Sequence, residues 1–400
     1  MNVIYIRRIF DFISNRFVNA FFPFGISIIA ARALSPSDLG FFFISLAASL
    51  WISIFVDFGL IRHGAVIVAK GLVGNYAELL APQFLVSCVI VIVAAGASSL
   101  FHRELFHLYL FAAAYGSCIA LVPRWYYQAK GEMFFLTKLE AFLKLLVLAA
   151  LGISIVLEVK VSVLLFEAAL LLSAFFTALA CWIHISRHER FQFFSIELSS
   201  CVNNIKISFS VLTSRLAGNL TTNSNVIILG FFAPVEAVAV YSICERCIKF
   251  AITIIASISE ALYPSYAEKK TNGLLSINIK LTSVASILAI VATLLAGKEI
   301  IALIFSMPAI EFENISIMSV SILFYSLSAS VGLFGFISQG RYKLDLASQL
   351  VIGPLSIVTI LVSMIYFGGD GAYYSFLINS AVSLGVILLI YKISLRTSAI

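Results

Sequence analysis

The chain contains few charged residues. Asp, Glu, Lys and Arg together make up 12% of its 400 residues, whereas a soluble domain carries about 25%. Hydrophobic residues make up 61% of the chain, and its mean hydropathy is +1.06. An apolar run of about 20 residues can cross a bilayer as a helix, and such runs fill most of this sequence. We therefore expect a polytopic membrane protein without room for a soluble catalytic domain.

The sequence also lacks the motifs of several enzyme classes. It contains no G-x-S-x-G, H-E-x-x-H or P-loop pattern. The C-x-x-C pair Cys244 and Cys247 has no second pair or histidines nearby, so we expect apolar packing rather than a metal site. The net charge of +6 comes from bases dispersed among short loops, which argues against nucleic acid as a partner. We expect neither an enzyme nor a metal protein.

Twelve apolar runs, six in each half of the chain, form the predicted transmembrane spans. If the N terminus lies in the cytoplasm, the connecting residues on the outside include only four bases, Arg32, Arg103, Lys160 and Lys298. An excess of Lys and Arg on the inside is typical of cytoplasmic loops, so we expect both termini in the cytoplasm. The predicted spans are 9–33, 39–61, 79–100, 105–127, 134–157, 161–185, 206–232, 237–262, 281–305, 313–338, 345–367 and 371–392.

The two halves of the chain repeat each other. Asp38 follows Pro36 at the start of the second span, and Glu236 follows Pro234 at the start of the eighth. An acid in the first turn of a helix favours the positive end of the helix dipole. Six-span repeats of this kind predict an all-α integral membrane fold, with twelve transmembrane helices in two pseudo-symmetric six-helix lobes around a central cavity. The predicted domains are an N-terminal lobe (1–190), a cytoplasmic linker (191–205) and a C-terminal lobe (206–400).

Several motifs carry a resemblance to a known family. They are ARALSPSDLGFFFISLAASLWISIFVDFGL, its echo GFFAPVEAVAVYSICERCIKF, and LYPSYAEK after span 8. These motifs resemble the polysaccharide-biosynthesis branch of the multidrug/oligosaccharidyl-lipid/polysaccharide exporter superfamily, and in particular the Wzx-type O-antigen flippases. The resemblance implies a multi-pass protein of the bacterial inner membrane that moves undecaprenyl-diphosphate-linked oligosaccharide repeat units from the cytoplasmic to the periplasmic leaflet. It also implies membrane lipids, a polysaccharide polymerase and a chain-length regulator as partners.

Two arginines occupy nearly equivalent places in the two halves. Arg16 lies in the first span and Arg215 in the seventh, and an asparagine follows each by about one helical turn, Asn19 and Asn219. A guanidinium fork fits phosphate oxygens. We therefore predict that both arginines hold the substrate diphosphate, while the asparagines and Thr222 complete a polar face. For Arg16 the alternative is that its side chain snorkels to the cytoplasmic surface.

Three more bases lie within predicted spans. A charge at the bilayer centre costs at least about 2.5–3.5 kcal/mol, so each base must face water or a partner. We predict that Arg246 and Lys249 also bind substrate. Lys249 follows Glu245 by four residues, a spacing that equally favours an internal ion pair. Lys144 follows Glu140 at the same spacing near the cytoplasmic end of its span, and there we expect the ion pair.

Three acids within spans are candidates for ion coupling. Asp57, Glu167 and Glu260 are of the type that marks proton or cation pathways in membranes, so H+ and Na+ are the candidate coupling ions, and no other cofactor is predicted. For Asp57 the alternative is a helix-end residue near the cytoplasmic surface. Aromatic residues near span ends are typical of interface anchors, and we expect that role for Trp51, Trp125, Tyr126, Tyr127 and Trp182.

The bases and the resemblance together favour a lipid-linked oligosaccharide flippase. One alternative is a multidrug/cation antiporter of the same superfamily, which would need acids rather than bases in the cavity of its N-terminal lobe. A second alternative is a membrane polysaccharide polymerase. A polymerase would need a sizeable outside loop, and the predicted outside loops are short.

Overall fold

The structure is a computed structural model, and it describes the backbone of most of the chain. Side chains are described from Val18 onward, apart from short stretches. The backbone description covers residues 3–101, 106–157, 161–192, 197–269, 272–306, 312–337, 339 and 341–397.

The described residues form fourteen α-helices and no strand. A π-helical turn, Leu333–Ile337, follows α12, and a 3-10 turn, Gly368–Asp370, precedes α14. The α-helices are α1 (Val3–Ala33), α2 (Pro36–Asp57), α3 (Leu60–Ala69), α4 (Ala77–Phe101), α5 (Phe106–Leu121), α6 (Arg124–Lys130), α7 (Met133–Val156), α8 (Val163–His188), α9 (Leu198–Phe232), α10 (Val235–Lys269), α11 (Asn272–Phe305), α12 (Phe312–Gly332), α13 (Tyr342–Phe367) and α14 (Gly371–Thr397).

Twelve of these helices are long and follow the twelve predicted spans in order; α3 and α6 are the short ones. Within the described residues, eight helical stretches are apolar and long enough to cross a membrane, and one of them covers both α13 and α14. Helices α9 and α10 are not among the eight, because polar and charged residues lower their hydropathy. The protein is a multi-pass membrane protein whose most polar long helices carry most of the predicted site residues.

The start of α2 shows why the repeated proline-acid motif forms a helix boundary. Ser35 is the N-cap, and its Oγ accepts a hydrogen bond from the Asp38 N–H at 3.2 Å. Pro36 occupies the first helical position, where its missing N–H has no cost. Glu236 lies in the first turn of α10, as Asp38 does in α2. The predicted placement of both acids is therefore confirmed.

Several helix boundaries differ from the predicted spans; α11, for example, begins at Asn272 rather than at 281. Span 4 is broken near Pro123 into α5 and α6, because proline cannot continue the helical hydrogen bonds and disfavours a helical residue before it. Helix α9 begins at Leu198, so the second half of the predicted linker is helical. Helix α10 extends to Lys269, well beyond the predicted span end.

The chain divides into two compact units. Unit 1 consists of Met1–Phe22 and Ala33–Leu216, and unit 2 consists of Pro23–Arg32 and Ala217–Ile400. Helix α1 thus contributes to both units, and the division falls at Pro23, which cannot donate a helical hydrogen bond to the Asn19 carbonyl. These units follow packing, whereas the predicted lobes follow the sequence repeat, so the predicted domain boundaries stay a prediction.

An aromatic cluster forms part of the core of unit 1. Trp125, Tyr126, Tyr127 and Trp182 are all buried, and the Trp125 ring stacks on that of Tyr76 with 6.4 Å between centroids. Interface anchors expose their rings to the headgroups, so that prediction is wrong for these four residues. The physical reason is that Trp125, Tyr126 and Tyr127 lie on α6, a short helix that hydropathy does not predict, and apolar residues of α3, α4, α7 and α8 cover the rings.

Candidate functional site

Arg215 forms an ion pair with Asp57 inside unit 1. The guanidinium Nη1 of Arg215, in α9, donates to Oδ2 of Asp57 at the end of α2. The Asp57 side chain is 9% exposed and that of Arg215 is 23% exposed. Asp57 also accepts a long hydrogen bond, 3.5 Å, from the Ile61 N–H. A predicted binding residue and a predicted coupling residue therefore neutralise each other.

The turn after α2 explains how these two residues meet. Phe58 and Gly59 both adopt left-handed backbone conformations, with φ of 50° and 80°. A Cβ added at Gly59 would lie 2.7 Å from the Ser208 carbonyl oxygen and 2.9 Å from the Leu212 N. Because only glycine allows this approach, α9 packs directly against the turn. Arg215 follows Leu212 by about one helical turn and so comes within reach of Asp57.

A second charged cluster in unit 1 joins α1, α6 and α7. Glu140 is buried and uses both carboxylate oxygens. Arg124 Nη2 donates to Oε1 at 2.9 Å, and Lys144 Nζ donates to Oε2 at 3.1 Å. The predicted Glu140–Lys144 ion pair is therefore confirmed. Lys144 Nζ also donates to Asn19 Oδ1 at 2.6 Å, which connects the predicted substrate residue of α1 to this cluster.

Lys144 lies in the middle of its helix. Helix α7 runs from Met133 to Val156, so about 17 Å of helix precedes Lys144 and about 18 Å follows it at 1.5 Å per residue. The predicted location of Lys144 near the cytoplasmic side of the membrane stays a prediction. A lysine this deep has to be satisfied by groups inside the protein or by a ligand.

Unit 2 holds a hydrogen-bonded chain that runs between α9 and α10. Lys249 Nζ forms an ion pair with Glu245 at 3.2 Å and donates to the Thr222 carbonyl oxygen. The buried Tyr241 hydroxyl donates to Glu245 at 3.4 Å and accepts from Asn225 Nδ2 at 2.8 Å. The structure therefore contains the Glu245–Lys249 ion pair, which the sequence offered as the alternative to substrate binding by Lys249. Thr222 contributes its backbone carbonyl oxygen to the contact with Lys249.

The remaining predicted substrate residues lie in three different settings. Asn219 is buried; its Oδ1 accepts a hydrogen bond from Asn223, and its Nδ2 meets no acceptor among the described residues. Arg246 is half-buried in α10, directly after Glu245. Arg16 lies in α1, outside the residues whose side chains are described. The predicted equivalence of Arg16 and Arg215 therefore stays a prediction.

The predicted coupling acids also differ in setting. Asp57 is paired with Arg215. Glu167 in α8 is 4% exposed, and its Oε1 meets no hydrogen-bond donor among the described residues. Its neighbour Phe166 packs against Phe42 of α2 with 5.7 Å between ring centroids. Glu260 is half-buried in α10. Glu167 is thus a buried acid with an unpaired carboxylate oxygen in the described part of the chain, and its coupling role stays a prediction.

The C-x-x-C pair lines an apolar cavity in unit 2. Cys244 and Cys247 form part of the wall of a cavity of about 170 Å³, together with Phe24 of α1 and Phe250. The Phe24 and Phe250 rings stack at 4.7 Å. Among the described residues no group of three or more His, Cys, Asp or Glu side chains is arranged to hold a metal ion. The surroundings of both thiols are those of packing residues.

Sequence reasoning missed two members of these clusters. Neither Arg124 nor Tyr241 is among the predicted site residues, yet each bonds directly to a buried acid. A signal for Tyr241 is present in the sequence, since it precedes Glu245 by one helical turn. No comparable signal exists for Arg124, because its contact with Glu140 spans the break between α6 and α7.

The chain matches one family model. The model described as "Polysaccharide biosynthesis protein" matches residues 7–270, which is well over half of the chain. No curated protein sequence matches the chain.

Solved structures share the fold over nearly the whole chain. "Lipid II flippase MurJ, inward closed conformation" has a TM-score of 0.76 at 12% identity, covering 96% of this chain and 87% of that one. A "multidrug resistance MATE family transporter of the MOP superfamily", in an inward-facing conformation, has a TM-score of 0.69 at 15% identity, covering 94% of each chain. A MOP superfamily transporter from Pyrococcus furiosus has a TM-score of 0.60 at 12% identity, covering 98% of this chain and 96% of that one. The predicted fold class, an all-α integral membrane fold of twelve helices in two six-helix lobes, is confirmed.

Proposed function

Because the chain belongs to the family of polysaccharide biosynthesis proteins, we propose that it is a flippase for lipid-linked oligosaccharides. Its substrate is an undecaprenyl-diphosphate-linked repeat unit of a surface polysaccharide such as O-antigen. It carries the unit by alternating access from the cytoplasmic to the periplasmic leaflet of the bacterial inner membrane, with both of its own termini in the cytoplasm. The protein is a transporter rather than an enzyme.

The observation that carries this proposal is the set of cations that contact buried acids within each unit. Unit 1 contains Lys144 and Arg124 around Glu140, and unit 2 contains Lys249 beside Glu245. Ionisable residues inside membrane helices are costly and mark substrate or ion pathways. Lys and Arg suit an anionic diphosphate, and neighbouring amides such as Asn219 suit sugar hydroxyl groups.

Arg215 has a place in this proposal in spite of its ion pair. Its side chain keeps 23% of its surface exposed, and Asp57 engages Nη1. Guanidinium carries five N–H donors, so the remaining donors can contact a phosphate while Asp57 fixes the orientation of the group. Asn219, Thr222, Arg246 and Lys249, with Arg16 and Asn19, remain the proposed substrate residues.

The experiment that tests the proposed function is deletion of the gene, followed by analysis of surface polysaccharide and of lipid-linked repeat units. Loss of the surface polymer together with full-length repeat units trapped on the inner leaflet is expected. Lys249→Gln and Arg215→Gln versions should restore little polymer, whereas Lys138→Gln, which alters an exposed base of α7, should restore it fully. Normal polymer in the deletion strain would contradict the proposal.

A multidrug/cation antiporter is the second candidate, and one observation favours it. Glu167 is a buried acid with an open carboxylate oxygen, a group suited to proton exchange, and a multidrug transporter shares the fold. In either case H+ or Na+ is the proposed coupling ion, with Asp57, Glu167 and Glu260 as its proposed sites. A drug-efflux assay on cells overproducing the protein separates the two: resistance that Glu167→Gln removes would favour the antiporter.

A further inference from the structure

The cluster around Glu140 holds more positive than negative charge. Its carboxylate is the single acid, and the two cations Arg124 and Lys144 each take one of its oxygens. Asn19 adds an amide that hydrogen-bonds both Glu140 and Lys144 but brings no charge. Among the described residues, neither cation has a second acidic partner. The cluster therefore carries one uncompensated positive charge.

Two other ion pairs among the described residues do not share this imbalance. Arg215 meets one acid, Asp57, and Lys249 meets one acid, Glu245. A buried pair of opposite charges can compensate its own desolvation, whereas an additional buried charge is strongly unfavourable. Lys144 is 17% exposed in the middle of α7, so bulk water compensates its charge only weakly. The excess charge calls for a mobile anion.

The same cluster keeps hydrogen-bond donors available. The Arg124 Nε is buried and meets no acceptor within the described part of the chain. Lys144 has three ammonium donors, of which two are engaged, one by Asn19 and one by Glu140. A buried donor without an acceptor costs about 1–3 kcal/mol. The Arg124 side chain is nevertheless 32% exposed, so a ligand can reach it.

We propose that Arg124 and Lys144 form an anion site for a lipid phosphate, in which the Glu140 carboxylate occupies the two cations until the phosphate displaces it and Asn19 orients Lys144. Resting on the proposed function, the anion is the diphosphate that links the polyprenyl chain to the sugar. The guanidinium of Arg124 contributes planar, directional donors, and Lys144 contributes a compact charge. Glu140 keeps the two cations close together in the absence of substrate. Unit 1 thus carries a phosphate contact independent of Arg16 and Arg215.

The test is isothermal titration calorimetry of the purified full-length protein in detergent with geranylgeranyl diphosphate as the probe. Lys144→Gln and Arg124→Gln should each weaken binding by about tenfold or more, because each removes a charge-assisted hydrogen bond. Lys144→Arg keeps the charge and should bind within about threefold of the parent. Geranylgeraniol, which has the same chain without the diphosphate, should bind far more weakly.

Two control variants separate a binding role from a structural one. Lys138→Gln removes an exposed base from the same helix and should leave the affinity unchanged. Glu140→Gln removes the competing carboxylate and should bind the diphosphate at least as tightly as the parent. If Glu140→Gln weakens binding as much as Lys144→Gln does, the cluster is a structural network and the proposal fails. If Glu140→Gln does not fold, equal affinities of Lys144→Gln and Lys144→Arg overturn the proposal.

Two further comparisons identify the source of the bound phosphate and separate a failure of this site from a failure of the proposed function. Dioleoylphosphatidic acid tests membrane lipid phosphate; affinity equal to that of geranylgeranyl diphosphate would overturn the assignment to a carrier diphosphate. A deletion strain without trapped repeat units, combined with charge-dependent diphosphate binding, would remove the proposed function and keep this site. Trapped repeat units, combined with diphosphate affinity that is unchanged in Lys144→Gln and Arg124→Gln, would support the proposed function and overturn this site.

Discussion

The Arg215–Asp57 ion pair offers a direct test of how unit 1 is held together. Arg215→Gln leaves the Asp57 carboxylate buried, with a side chain that is 9% exposed. Removing one partner of a buried pair costs about 3–5 kcal/mol. Since Arg215 itself is 23% exposed, we expect Arg215→Gln to lower the unfolding free energy by about 3 kcal/mol, the lower end of this range. Asp57→Asn should cost less, because the longer arginine side chain can reach water.

The double variant distinguishes the ion pair from two independent contributions. Arg215→Gln combined with Asp57→Asn leaves two neutral amides, and we expect its unfolding free energy to lie within about 1 kcal/mol of the parent. The measurement is denaturant-induced unfolding of the purified protein and its three variants in mixed micelles. The reasoning would be refuted if the double variant lost as much unfolding free energy as the two single variants together. It would also be refuted if Arg215→Gln were as stable as the parent.

Two further predictions use matched control residues. Gly59→Ala should destabilise unit 1 strongly, because the added Cβ would lie 2.7 Å from the Ser208 carbonyl oxygen. Gly71 has a similar φ, but a Cβ added there would meet nothing within 4 Å, so Gly71→Ala should cost only the roughly 1–2 kcal/mol of a left-handed backbone. Thermal unfolding of the two variants compares these losses. Tyr241→Phe should lower the unfolding free energy by about 1–3 kcal/mol, because it removes the hydroxyl that accepts from Asn225 and donates to Glu245. Tyr366→Phe, at a 78% exposed position, should change it little, and an equal loss in both variants would contradict the hydrogen-bond assignment.

The sequence predicts features that depend on neighbours along the chain. Hydropathy locates the twelve long helices, since a span is a local property of about 20 residues. The pairs Glu140–Lys144 and Glu245–Lys249 follow from the geometry of one helix, and the structure contains both.

Contacts between helices are not predictable in the same way. Asp57 and Arg215 are far apart in the chain, and their meeting depends on the close approach at Gly59. The Asn19–Lys144 contact likewise depends on how α1 packs against α7. Periodicity indicates which face of a helix is polar, but it does not indicate which other helix that face meets. For this reason the sequence does not predict that two cations, Arg124 and Lys144, share the single acid Glu140.

The aromatic residues show a second limit. Trp125 and Trp182 lie near predicted span ends, where a sequence cannot distinguish a ring facing headgroups from a ring covered by protein. Trp182 Nε1 donates to the Leu121 carbonyl at 2.7 Å inside the core. The difference arises from α3 and α6, two helices too short to be recognised by hydropathy.

The most direct test of the central claim is a flipping assay with the purified protein in proteoliposomes. A fluorescent undecaprenyl-diphosphate-linked oligosaccharide is placed in both leaflets, and the fraction open to an added oligosaccharide-modifying enzyme is measured over time. We expect the protected half to become accessible with the parent protein and to stay protected with Lys144→Gln. Accessibility that is the same with and without the parent protein would contradict the account.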